Sequence, residues 1–370
     1  MKFEDPSVFV SRATRSPSRA CQKKEIHNNG NVGRRLFLIA LVLLVNAGRL
    51  QAQTYGITDL GALPGNSTSK GYGLNNLGQA VGISDSGGAI ATLFRNGTAT
   101  NMNTLNADVS VATCISGSSQ AAGYNIFYSN PNLIFRAFLY GNGGMTDIQS
   151  DSLFPFGTQA YGINSSGMVV GQGWVTNESF HVFLYSGGRM VDLGGGFQAS
   201  ASAINDAGQI VGNGTTVGAF LYSNGKMVSL GVPAGANSSW ANAINSTGNM
   251  IAGNLFFNSP PSHASLHSNG GWTDLGAFPG AIGNSATGVN SSGQVVGTAF
   301  FPVKSYHPFR PGKHVAFIHR NNALVDLNTL IPSNSGFTIT DAIGINDSGQ
   351  ILCNATNSSN VTRAVLLSPK

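Results

Sequence analysis

Short apolar runs broken by Gly-, Asn- and Ser-rich turns recur along this chain, and the clearest is AYGINSSGMVVG at 160–171. Six further copies follow the same pattern: GYGLNNLGQAVG from Gly71, ATCISGSSQAAG from Ala112, ASAINDAGQIVG from Ala201, ANAINSTGNMIAG from Ala241, ATGVNSSGQVVG from Ala286 and AIGINDSGQILC from Ala342. Self-similarity at this period marks a solenoid, a propeller or an array.

Each copy reads as a hairpin. A two-residue period puts Ala160 and Gly162 on one face of a strand and Ile163 on the other. Asn164-Ser165-Ser166-Gly167 reads as a type I turn whose Gly enters the left-handed region, and 168–171 completes the hairpin. After a connection of variable length comes an Ala-Phe-Leu-Tyr type strand, at 137–140, 182–185, 219–222, 264–267 and 316–319. A second tight turn, such as Ser223-Asn224-Gly225, leads to a fourth strand of the form Met190-Val191-Asp192-Leu193-Gly194. Four strands in about 45 residues is the size of a propeller blade.

The turn Asn, replaced by Ser116 in the second copy, stands at 75, 116, 164, 205, 245, 290 and 346, so extra length goes into loops. The last copy stops after its third strand at 364–367, while 55–61, YGITDLG, matches the fourth-strand pattern with no first three strands before it. The expectation is an all-β, seven-bladed β-propeller of four-stranded blades, with 55–61 completing the C-terminal blade so that no sheet edge is left at the seam. The small-x-small strand is then innermost. Both tight turns fall on one face of the disc, and the crossovers and variable loops on the other, where recognition usually resides. The loops that stand out are 124–135, 173–180, 254–262 and 299–313.

Charge changes this picture only after the first 52 residues are set apart. They hold nine of the 20 Lys and Arg and three of the 15 acids, leaving 11 basic and 12 acidic residues from Gln53 onward. A near-neutral body lacks the basic footprint of a nucleic-acid binder. Arg34 and Arg35 precede an apolar run at 36–45, and Leu50-Gln51-Ala52 offers small-residue cleavage, which reads as a signal peptide at 1–52 ahead of a propeller domain at 53–370. Whether export uses the general or the twin-arginine route stays open. The run is shorter than the roughly 20 residues of a membrane span. The mature chain is therefore expected to be a monomer of the cell envelope or medium, not an integral membrane protein. Cys114 and Cys353 lie in different copies, at positions that are small elsewhere, and read as buried thiols rather than a disulfide or metal pair.

The His-Ala-Phe-Leu-like strand, the Asp-Leu-Gly strand and the Gly-Ile-Asn-x-x-Gly-Gln-Val-Val-Gly hairpin together resemble the HAF family of bacterial extracellular repeats, over essentially all of 53–370. The His of that pattern survives directly before the strand as His181 and His263, with His314 one residue farther out, and Arg136, Gly218 and Arg363 stand there in other copies. The resemblance implies an exported repeat protein and brings no catalytic residues with it.

Asp59, Asp147, Asp192, Asp274 and Asp326 share one blade position, with Asn101 and Ser229 in the other two blades, and symmetry spreads them around the ring. A glycosidase needs two acids at a set separation in one cleft, so local hydrogen bonding is the expected role. His181, His263 and His314 fall in three blades and are not expected to converge on a metal. No cofactor motif and no catalytic constellation is found. The candidate binding segment is 299–314, which brings Phe300, Phe301, Lys304, Tyr306, His307, Phe309, Arg310 and Lys313 to the variable face. The function expected is non-catalytic binding of a carbohydrate or protein ligand at the cell exterior. The rival is a secreted carbohydrate-active hydrolase or lyase, which two acids in one loop-face pocket, for example Asp85 and Asp151, would favour.

Overall fold

The hairpins read from the repeat become the inner halves of seven four-stranded antiparallel sheets. The computed structural model describes residues 54–129, 132–258, 262–302 and 311–370, and the leader at 1–52 lies outside them. Blades 1 to 6 cover 68–101, 109–147, 158–194, 199–229, 238–274 and 283–326. In blade 3 the four strands are Thr158–Ile163, Val169–Trp174, Phe180–Ser186 and Arg189–Gly194, paired in that order.

Blade 7 takes three strands from the end of the chain, Phe337–Ile345, Ile351–Asn357 and Thr362–Pro369, and its fourth from the start, Tyr55–Asp59. Tyr55 lies opposite Pro369 and Asp59 opposite Val365. Tyr55 is fully buried in the core shared by blades 6 and 7, and its N–H donates to the Leu330 carbonyl at 2.8 Å. The first strands of successive blades touch all the way round, that of blade 7 meeting that of blade 1, so the ring is closed and these strands are innermost. Among the described residues the one helical element is the 3-10 turn Leu327–Thr329.

The core lies between blades. Ala160, Ile163, Val169 and Phe183 of blade 3 pack with Ala122 and Ala137 of blade 2. Val170 and Val182, on the other side of the same sheet, pack with Ala201, Ile204 and Phe220 of blade 4. Ala160 and Ile163 therefore share a face, contrary to the strict alternation expected. The reason is a β-bulge between Ala160 and Gly162 that recurs at the equivalent place in all seven blades. The extra residue, Tyr161, resets the alternation. A Cβ on Gly162 would come within 3.2 Å of the Ala203 Cα, and one on Gly73 within 2.9 Å of the Cys114 Cα, so the second small residue is set by close approach of the next blade. The same bulge brings the Gln159 carbonyl to 1.9 Å from where a Gly171 Cβ would lie. Blade 7 carries Cys353 at that position, and its inner strand has a second bulge between Ile339 and Asp341.

The two turn types differ as their residues require. In the inner hairpin Gly167 donates to the Asn164 carbonyl and has φ 76°. In the outer hairpins both central residues have positive φ, as at Asn224 (51°) and Gly225 (75°), the backbone of a type I′ turn.

Candidate binding face and axial cavity

The Asp of the fourth strand has two jobs, one on each oxygen. Its Oδ1 accepts from the backbone N–H two residues on, at 2.7 to 2.9 Å, in Asp59, Asp147, Asp192, Asp274 and Asp326, and Asn101 and Ser229 do the same in their blades. The local role expected of these residues is the one observed. In four blades Oδ2 also meets the basic residue of the neighbouring third strand: His181 Nδ1 lies 2.8 Å from Asp192, His263 Nδ1 2.7 Å from Asp274, Arg136 Nε 2.5 Å from Asp147 and Arg363 Nε 3.7 Å from Asp59. The last pair crosses the seam between the two ends of the chain. Where the basic residue is missing, at Ile90 and Gly218, the acid is missing too, replaced by Asn101 and Ser229. Blade 6 departs from this: His314 Nδ1 reaches Asp341 of blade 7 at 2.9 Å. The three histidines are therefore each tied to a separate carboxylate, and no metal-sized group of His, Cys, Asp and Glu occurs among the described residues.

At the turn end of the axis the repeated Asn is buried and works as an inter-blade tie. Its Oδ1 accepts from its own turn, as in Ser166 N–H and Met168 N–H to Asn164 at 3.1 and 3.0 Å. Its Nδ2 donates to the carbonyl of the next blade's turn residue: Asn75 to Ser116, Asn164 to Asn205, Asn290 to Asn346 and Asn346 to Asn75. The residue after it forms a polar ring in which Asp347 accepts from Asn76, Ser246 and Ser291, three other blades. Burial pushes the Asp347 carboxyl up, and the hydrogen bonds from Ser291, Asn76 and Ser246 outweigh it and hold it below its ordinary value. The opening left here is about 190 Å³.

The loop end is built from residues that do not repeat. Tyr72, Thr113, Tyr161 and Ser202 occupy the bulge position of blades 1 to 4 and, with Tyr124 and Gln172, line an axial cavity of about 590 Å³. From Tyr124 a row of rings runs outward over blades 2 and 3. Tyr124 and Phe135 centroids are 6.1 Å apart, Phe135 and Trp174 5.8 Å, and Trp174 and Phe180 6.0 Å. Phe135, Trp174 and Phe156 line a neighbouring hollow of about 750 Å³, which also holds Arg136, Asp151 and Asn177. Tyr128, Leu133, Ile134 and Phe156 are exposed around it, making an apolar patch with a polar rim. The stretch 124–135 is not a loose loop: Ala121–Ser129 and Asn132–Gly141 pair continuously and raise the aromatics above the disc.

The two acids that would mark an enzyme are apart. Asp151 lines the aromatic hollow and pairs with Arg136 Nη1 at 3.6 Å, while Asp85 accepts from the Gly87 and Gly88 N–H groups in its own loop. Of the segment 299–314, Lys304, Tyr306, His307, Phe309 and Arg310 lie outside the described residues. Phe300 stands edge-on to His314 with centroids 5.0 Å apart, Phe301 packs on the core of blades 5 and 6, and Lys313 is exposed. Two of the loops that stood out in the sequence, 124–135 and 173–180, hold all four members of the row, but their meeting could not be read because they come from four strands of two blades. What sequence reading missed outright is the axial cavity, whose signal was divergence at the bulge position, where Tyr72 and Tyr161 stand against Thr113, Ser202 and Asn242.

Cys114 and Cys353 are free thiols. Burial pushes Cys114 up to about 12, against the opposing effect of hydrogen bonds with Thr113 and the Ala122 carbonyl, and burial followed by the Asp341 charge raises Cys353 further.

No family model and no curated protein matches the chain. Solved structures do. The chain is similar to the β-propeller domain of the Trilobed protease from Pyrococcus furiosus, which has an open velcro topology, at 9% identity and TM-score 0.50, covering 81% of this chain and 95% of that one. It is similar at 10% identity and TM-score 0.42 to TolB from Acinetobacter baumannii, covering 68% of this chain and 63% of that one, so it spans less than two thirds of TolB. The acylaminoacyl peptidase of Pyrococcus horikoshii aligns at 9% identity and TM-score 0.47, over 84% of this chain and 53% of that one. The first of these likenesses shows the propeller fold alone, and the site is to be read from this chain's own residues.

Proposed function

We propose that this propeller is an exported, non-catalytic binding module of the HAF type, and that its recognition surface is the loop face over blades 2 and 3. The observation that carries the reading is the row Tyr124, Phe135, Trp174 and Phe180 beside an exposed apolar rim, where Asp151 is the one acid among the residues lining the hollow and is already paired. Ring faces stack on the C–H faces of sugars or on apolar side chains, and the polar rim orients the ligand. Export is supported by the arginine pair and apolar run at 34–45. The pairing of the pattern's His with its Asp supports the HAF reading, since it ties two hallmark positions into one interaction.

Glycan-array binding of the full chain, repeated with Trp174→Ala and with Phe135→Ala, tests the reading. Loss of at least 10-fold in affinity at an unchanged melting temperature is expected for each. Wild-type binding by both variants would remove blades 2 and 3 as the recognition surface. Release of reducing sugar from a bound glycan would replace binding with hydrolysis.

A further inference from the structure

The axial cavity and the aromatic row are joined through one residue. Tyr124 lines the cavity and its ring is the first of the row, so a ligand lying over Phe135 and Trp174 continues into the axis without leaving aromatic surface. The cavity is lined by Tyr72, Thr113, Tyr124, Tyr161, Gln172 and Ser202 together with small residues, and no charged side chain is among them. Its volume of about 590 Å³ is that of a small-molecule site.

Its polar groups are arranged to meet hydroxyls. The Tyr161 hydroxyl donates to Gln159 Oε1, which also accepts from Gln172 Nε2 at 3.2 Å, so the Tyr161 oxygen is oriented and left able to accept. The Tyr72 and Tyr124 hydroxyls have no protein partner among the described residues. Burial raises Tyr161 and Tyr72, with Tyr124 adding to both and Asp85 to Tyr72, and burial raises Tyr124 as well, so all three remain protonated donors through neutral and mildly alkaline pH. The fold does not call for aromatics here, because Thr113, Ser202, Asn242 and Thr287 fill the same bulge position in other blades.

The axis is narrow below. The aliphatic residue before the turn Asn or Ser116, as in Leu74, Ile115 and Ile163, and the turn ring beneath leave about 190 Å³. A chain can end in the upper cavity and has little room to thread on.

We propose, resting on the loop-face reading above, that the axial cavity binds the terminal unit of a neutral glycan, a single sugar ring bearing free hydroxyls, with the following units on the Phe135–Trp174–Phe180 row. The protein then recognises chain ends.

The probes are cello-, malto-, manno- and N-acetylchito-oligosaccharides of two to six units, titrated calorimetrically into the full chain. Two variants take residues the other blades already carry, Tyr72→Thr and Tyr161→Ser, and are used singly and together. Trp174→Ala is the contrast, and circular dichroism with thermal melting checks each fold. The expected result is that the double variant loses at least 10-fold in affinity for every length and no longer binds disaccharides. Trp174→Ala should weaken the longer probes by at least 10-fold and the disaccharide by less, since only one of its units reaches the row. A polysaccharide of the bound type should compete in proportion to its chain ends and not its mass. Undiminished binding by the double variant, with binding lost in Trp174→Ala, overturns chain-end recognition and leaves the loop-face reading standing. Competition in proportion to mass overturns it too. If no neutral oligosaccharide binds, this inference falls. If a different ligand is then captured through Trp174, the loop-face reading survives it.

Discussion

The same seven inner strands end in two different places, and the two ends of the axis have been treated differently. At the turn end nearly every blade presents Asn, and its amide reaches the next blade's backbone. At the loop end the bulge residue changes from Tyr to Thr to Ser, and rings gather over three adjacent blades. What repeats is what every inter-blade contact needs. The position that does not repeat is divided: Thr113, Asn242 and Thr287 tie their blades to the next through the carbonyls of Ala160, Ala286 and Ala342, whereas Tyr72 and Tyr161 turn it to the cavity.

Alkaline pH is expected to have the largest effect, and it tests whether the interior between the two ends is as dry as its packing. Folded Cys114 is pushed up to about 12 from 9.0, and Cys353 is raised further by burial. Above the unfolded thiol value the unfolded chain has released protons that the folded chain retains, so stability falls as pH rises. The loss is about 1.4 kcal/mol per pH unit for each thiol. Urea midpoints measured from pH 8 to pH 11 should fall, and Cys114→Ala with Cys353→Ala should flatten the curve until the tyrosines take over.

At the turn end, Asn346→Ala removes the bond to Asn75 across the seam and the acceptor for Gln350 N–H. We expect a cost of about 2–3 kcal/mol, from lost bonds and buried groups left without partners, in urea denaturation. Glycan affinity should be unchanged, and a drop in it would break the separation of the two ends.

Gly208→Ala is a cleaner probe of the turn, since Gly208 has φ 75° and only the Met168 Cε at 3.8 Å near its Cβ position. Strain alone should cost about 1–2 kcal/mol. Blade 2 shows how a copy lives without this Gly: Ser119 takes φ 65° while its hydroxyl donates to Gln79 of blade 1 at 2.7 Å.

The smallest effect belongs to the His–Asp pairs, which serve neither end. A double-mutant cycle on His181 and Asp192, both about 30% exposed, should give a coupling below about 1 kcal/mol. A coupling several times larger would mean that these pairs hold the blade together.

Legibility followed the length scale of each interaction. The G1-type turn, the type I′ turn and the Asx contact of Asp192 lie within a few residues and could be read directly. The bulge at Tyr161 could not, because it is set by contact between Gly162 and blade 4 and a strict two-residue period hides it. The pairing of His181 with Asp192 was within reach, since Ile90 changes with Asn101 and Gly218 with Ser229, once the copies are aligned as paired strands and not as separate motifs.

By itself the sequence determined the blade, the number of blades and the closure of blade 7 by 55–59, because hydrophobic period and turn chemistry are local and were repeated until unambiguous. The tertiary structure alone decided which aromatics meet. Tyr72, Tyr124, Phe135 and Tyr161 come from three blades, and only closure of the ring brings their bulges and strand ends to one mouth.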